Sequence, residues 1–252
     1  MDRTALRGPA RVAGRALAWT AVPLLLLVGC SSGSGSDGGT QDDEPRESVA
    51  PEPEPVRFSA LPEPCATLNE DVIGEVVPEA DPAGGETLSS FDTAFSGACL
   101  WNGLEQYQYR SLQVALRRFD SDVALGSGDE RAGEYLRQMA EEVSGDEANG
   151  EVEQAELDDA GDEAATLSYT ATRTPGGEED DEEQEYRQQR VVVRTANVVI
   201  TVDYAGAGLE GDDMPSADSI REAAETAARA VTETVNASTE QPAEEEPPAD
   251  EG

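Results

Sequence analysis

The chain has 252 residues, with 54 acids against 17 arginines, no histidine and a formal net charge of −37. So negative a surface argues against nucleic acid or anionic head groups as partners held by charge. The missing histidine removes Ser-His catalysis and the commonest zinc ligand.

The first 15 residues carry Arg3, Arg7, Arg11 and Arg15 against Asp2, and Ala16 to Gly29 is uncharged and mostly apolar. A basic segment followed by a short apolar one is the export-signal pattern. The apolar segment is also too short to span a bilayer comfortably as a helix. Leu27-Val28-Gly29-Cys30 resembles a bacterial lipobox, in which the chain is cut between Gly29 and Cys30 and the cysteine thiol is lipidated. An ordinary secretory signal that happens to end near a cysteine is the competing reading. The coincidence of Leu, a small residue, Cys and a Ser/Gly run favours the lipobox. Residues 1–29 are then a signal peptide, and Cys30 is the link to the membrane on its extracytoplasmic face. The mature chain would hold 13 arginines and 53 acids. The lack of lysine, with abundant Ala, Gly and Arg, points to a high-GC genome.

Residues 30–56 read as the lipidated cysteine and a disordered acidic tether of Ser/Gly and then Pro/Glu character. As a coil the tether reaches roughly 30 Å. Residues 238–252 read as a disordered acidic tail. Between them, 57–237 is enough chain for one extracytoplasmic domain. The stretches 144–163 and 176–187 are strongly acidic and read as solvated loops.

In chain order, CATLNEDVIGEVVP offers Thr67 and Glu70 as a capping box, with Leu68, Val72 and Val76 at helical spacing and Pro78 as a stop. GACLWNGLEQYQYRSLQVALRRFD reads as a hairpin about Asn102-Gly103, with Leu112, Val114 and Leu116 alternating in its second arm. Ser127 and Glu130 make a second capping box, ahead of a helical face of Ala132, Tyr135, Leu136, Met139 and Val143. Residues 165–171 are a strand candidate. YRQQRVVVRTANVVITVDYAG reads as two strands about a tight turn at Thr195-Ala196-Asn197, where Asn tolerates a left-handed backbone. PSADSIREAAETAARAVTETV is an Ala-rich amphipathic helix capped by Ser216, burying Ile220, Ala223, Ala227, Val231 and Val235. Strands that come as hairpins predict an α+β fold, an antiparallel sheet with helices packed on one face as a two-layer sandwich. Cys65 and Cys99, the other thiols of an exported chain, pair by default. The loop they close implies roughly 3–4 kcal/mol on the chain-entropy model.

P-C-A-T-L at 64–68, C-L-W at 99–101, G-D-E-A at 161–164 and R-T-A-N-V-V-I-T-V-D-Y at 194–204 resemble recurring pieces of small actinobacterial exported lipoproteins of unknown function. The resemblance covers most of residues 60–237. It implies a cell-surface α+β domain with two cysteines and a Cys-x-Trp element, similar in outline to the extracellular sensor domains of some mycobacterial kinases. It implies no catalytic residues.

Nucleophile elbows, phosphate loops, dinucleotide fingerprints and zincin motifs are all missing from the sequence, so a non-catalytic protein without cofactor is expected. The acidic runs 158–163 and 178–185 offer oxygen ligands for weak calcium association but lack EF-hand spacing. Asn236-Ala237-Ser238 matches a glycosylation sequon, which in a bacterial chain reads as chance. Arg110, Arg117, Arg118, Arg187, Arg190 and Arg194 concentrate on strands, where arginines either pair with nearby acids or grip an anionic ligand bidentately. Of these, Arg117, Arg190 and Arg194, with Tyr107 and Tyr109, are the candidate ligand contacts. The expectation is a membrane-anchored binding or sensor-like domain for an envelope protein or small ligand. The alternative is a structural envelope lipoprotein whose acidic surface matters through hydration.

Overall fold

The computed structural model describes residues 51–173 and 183–239. The signal segment, Cys30, the tether as far as residue 50, the acidic run 174–182 and the tail from 240 lie outside the described residues. After a 3₁₀ turn (Pro64–Ala66) come α1 (Glu70–Val76), β1 (Glu86–Leu88), β2 (Ser96–Glu105) and β3 (Gln108–Arg118). Then follow α2 (Gly128–Gly145), β4 (Asn149–Glu156), β5 (Glu163–Arg173), β6 (Gln184–Thr195), β7 (Val198–Gly208) and α3 (Ala217–Ala237). The strands form one antiparallel sheet in the order β1-β2-β3-β7-β6-β5-β4. The fold is α+β, as expected from the hairpins.

The layering departs from the expected two-layer sandwich. Alternation along β6 puts Val191 and Val193 on one face of the sheet and Val192 on the other. The first pair packs with Ile200, Val202 and the α3 residues Ile220, Ala224, Ala227, Ala228 and Val231, together with Ile73 and Val76 of α1. Val192 and Val199 pack instead with Ala132 and Leu136 of α2. Helices therefore cover both faces. The cause lies in β6 and β7, whose valines and isoleucine occupy both parities, and a strand apolar on both faces is buried on both.

Ser127 and Glu130 form the expected capping box of α2, and Ser216 caps α3 by accepting from the Ser219 amide at 3.1 Å. Before α1, however, the cap is Asn69, whose side chain accepts from the Val72 amide at 2.9 Å, while the Thr67 hydroxyl donates to the Pro64 carbonyl at 2.6 Å. The β2–β3 turn falls at Gln106-Tyr107, which take φ of 46° and 71°, and Asn102 and Gly103 lie inside β2. Gly103 is needed there because the chain leaving α1 crosses it: a Cβ would sit 2.2 Å from the Pro78 carbonyl oxygen. In the β6–β7 turn it is Ala196 that takes the left-handed φ, at 47°. The acidic stretch 144–163 is not all loop, since it contains the edge strand β4 with a bulge between Gly150 and Glu153. Exposed glutamates on an edge strand satisfy water and discourage further pairing.

Cys65 and Cys99 are disulfide-bonded with Cα atoms 5.1 Å apart, stapling the 3₁₀ turn to β2 beside the buried Trp101. Among the described residues no helix is long and apolar enough to cross a membrane.

Candidate functional site

Over the face that carries α2, helix covers only the β4–β7 half, and none of the described helices covers β1–β3. Register fixes what is left open. Ala98 of β2, Ala115 of β3 and Thr201 of β7 form one cross-strand row, and Ser96, Arg117 and Val199 form the next. Small side chains in the first row leave a trough. Tyr135 of α2 walls it on one side and the segment from Ser89 to Phe95 on the other, enclosing an open cleft of about 520 Å³.

Arg117 stands at this cleft. Its guanidinium lies 4.6 Å from the Tyr135 ring centroid and 5.4 Å from that of Phe119. Stacking of this kind holds a cation through the ring quadrupoles while its N–H edge stays available. Among the described residues Arg117 has no carboxylate or hydrogen-bond partner, although the chain carries 54 acids. Its neighbour Arg118, by contrast, is buried, paired with Asp120 and stacked 4.6 Å over Phe95.

The other candidate arginines do not join this site. Arg190 grips Asp203 with both ends of its fork, at 2.6 and 3.2 Å, and reaches Glu142 at 3.6 Å. Burial works to lower its pKa, but the hydrogen bond and charge of Asp203 outweigh it and the pKa is raised. Arg194 is occupied by Glu163 at 3.4 Å and Asp162 at 3.5 Å. Arg110 and Arg187 lie on the α3 face by strand parity, away from Arg117. Tyr109 shares a face with Arg117 but stands eight residues away along β3, about 27 Å at the strand rise. Its hydroxyl donates to the Asn102 side chain at 2.7 Å and its ring meets Tyr186 edge-on. Tyr107 is exposed at the hairpin tip. Of the expected arginine and tyrosine contacts, Arg117 alone stands at an open cleft without a carboxylate partner among the described residues; it is joined there by Tyr135, expected on the buried stripe of α2, and by Phe95, which no sequence motif marks.

Two buried tyrosines resist ionisation. Burial pushes the Tyr169 hydroxyl up to about 12, helped by the Asp203 charge and opposed by Arg190. Tyr204 is pushed up to about 12 by burial, with a partial offset from Arg110, and donates to the Val76 carbonyl. Among the described residues no group of three or more side chains is placed to hold a metal ion. Of the acidic runs considered for calcium, 178–182 lies outside the described residues, and Asp162 and Glu163 are committed to Arg194.

The four stretches singled out in the sequence meet in two structural junctions. The disulfide joins 64–68 to 99–101. Asp162 accepts from the Ala196 amide at 2.6 Å, and its own amide donates to the Arg194 carbonyl at 2.8 Å, joining 161–164 to the β6–β7 turn. Asn197 in that turn is fully buried and ties three segments together. Its side-chain oxygen accepts from the Phe58 amide, and its amide group donates to the carbonyls of Phe58 and Phe119, all at 2.9 Å. Comparison of the chain with protein-family models, with curated proteins and with solved structures gives no match.

Proposed function

We propose that this protein is a membrane-anchored extracytoplasmic lipoprotein, of the small actinobacterial kind, whose domain is a non-catalytic ligand- or protein-binding module. The anchor reading rests on the basic segment, the short apolar run and Leu27-Val28-Gly29-Cys30. The Cys65–Cys99 disulfide is compatible with an oxidising compartment outside the cytoplasm. One observation carries the binding reading: Arg117, in so acidic a chain, is held by two aromatic rings at an open cleft without a carboxylate partner among the described residues. A guanidinium presented in this way suits a carboxylate or phosphate oxygen pair. The alanine floor and the flanking aromatic side chains suit an apolar body attached to that group.

Native mass spectrometry of the lipoprotein, gently extracted from its own membrane, tests this. The expected result is a retained stoichiometric mass that is lost in Arg117→Ala, with the melting transition little changed. A bare protein, or a ligand indifferent to Arg117, would overturn the site. Cys30→Ser should abolish lipid labelling and block normal processing; a variant still labelled and membrane-bound refutes the anchor.

A further inference from the structure

Six large apolar side chains stand exposed on the described surface, and four of them, Phe91, Phe95, Val123 and Leu125, lie in two loops at one end of the sheet. That end holds the start of β2, the end of β3, the β6–β7 turn and the start of α2. Phe91 is fully exposed, at 114 % of its reference area.

Both loops are braced to hold their tips outward. In the first, the Asp92 carbonyl accepts from the amides of Phe95 at 3.2 Å and Ser96 at 2.9 Å, and Arg118 donates to the Ala94 carbonyl at 3.4 Å. In the second, the Asp122 carboxylate accepts from the amides of Ala124 and Leu125 at 2.8 and 2.9 Å, and Asp122 and Gly126 exchange backbone bonds of 2.9 Å. Apolar tips on ordered loops lose little further entropy when they are buried.

The chain also enters the domain here. Phe58 is bonded to Asn197 in the β6–β7 turn, and Val56 lies against Gly128 at the start of α2. From Val56 back to Cys30 there are 26 residue steps, which span at most about 94 Å. A lipid on Cys30 thus keeps this end within that distance of a bilayer. Tethering of this kind turns a weak contact into an intramolecular one with a high effective concentration. At the opposite end stand Glu105, Glu210, Asp212 and Asp213, which an anionic surface repels.

We infer that this end of the domain faces the bilayer, with Phe91, Val123 and Leu125 immersed in the interface beside Phe95. The assignment rests on the lipid anchor proposed above. Apolar burial carries the contact. The four aspartates Asp92, Asp120, Asp122 and Asp129 outnumber Arg117, Arg118 and Arg131 at this end, so charge contributes no adhesion. The depth of insertion is that of interfacial anchors, about 5–10 Å. The Arg117 cleft, lined in part by Phe91 and Phe95, then opens at head-group level.

The test is collisional accessibility of a spin label on the full lipidated protein in vesicles of phosphatidylethanolamine and phosphatidylglycerol. One label goes at Thr93→Cys, another at Glu105→Cys on the far hairpin, and the mass of the N-terminal peptide reports the lipid on Cys30. The expected result is access by oxygen but not by a polar nickel complex at position 93, and access by both at 105. Raising salt from about 0.05 to about 0.5 M leaves the pattern in place, because screening removes repulsion and not adhesion. Phe91→Ser combined with Leu125→Ser abolishes it. A lipidated protein whose label at 93 stays in water overturns this assignment and leaves the anchor standing. A label shielded from both reagents means that a second copy covers the surface, and also overturns it. A Cys30 without lipid overturns the anchor and this assignment together.

Discussion

Asn197→Asp is the substitution that most directly tests how the domain is held together. The side chain is 0 % exposed and makes three bonds of 2.9 Å, accepting one and donating two. Aspartate has the same shape, yet its carboxylate only accepts. The Phe58 amide keeps its partner, while the carbonyls of Phe58 and Phe119 are left buried against an oxygen. Each orphaned buried acceptor costs about 1–3 kcal/mol, and the desolvated charge adds to that. A loss of about 4 kcal/mol is a large share of the 5–15 kcal/mol typical of a domain. Burial without a cation raises the folded-state pKa of the new carboxyl above its unfolded value. The folded protein therefore binds the proton more tightly, and the deficit relative to wild type should shrink as pH falls from about 7 to about 5. Urea unfolding of the disulfide-intact protein, read as a change in midpoint at constant slope, measures this. A variant within about 0.5 kcal/mol of wild type would refute the reasoning, as would a deficit that grows on acidification.

Four further outcomes are expected. Gly85→Ala should cost more than about 2 kcal/mol, because φ is 75° and a Cβ would lie 2.5 Å from Cys99 Sγ and 2.6 Å from a Trp101 ring carbon; calorimetry reads it as a lowered melting temperature. Asp203→Asn, which loosens the grip on a half-buried Arg190, should cost about 2 kcal/mol by the same measurement. With the hydroxyls of Tyr169 and Tyr204 pushed up to about 12 from 10.0, the unfolded chain ionises first. Stability is therefore unaffected below pH 10 and falls between 10 and 12, by up to about 2.5 kcal/mol for each tyrosine; Tyr204→Phe should flatten that slope. Cys65→Ser should cost roughly 3 kcal/mol, and a thiol count on the unreduced wild-type protein should find neither Cys65 nor Cys99 free.

The helices α2 and α3 and the β6–β7 hairpin were legible in the sequence because each is specified locally, by a cap, an apolar stripe and a tight turn. Strands β1 and β4 were not, because edge strands are short or polar and carry no apolar alternation to read. The one-sided layering failed for a different reason. The amphipathic stripe of α2 says that the helix covers something, and only tertiary packing decides which face. Parity along β3 separates Arg117 from Arg118, but nothing local says that Tyr135 comes to stack on one of them. Arg190 and Arg194 look like Arg117 in sequence. What distinguishes them is the register that places Asp203 beside the first and Glu163 beside the second.

An antiparallel sheet with free margins invites a neighbouring chain to continue its ladder. This sheet ends in a three-residue β1 on one side and in a bulged, glutamate-bearing β4 on the other. Neither margin offers a long flat template, and like charges on β4 of two molecules repel at the spacing a shared ladder requires. Copies of this domain at high concentration are therefore poorly matched to polymerise through their strands.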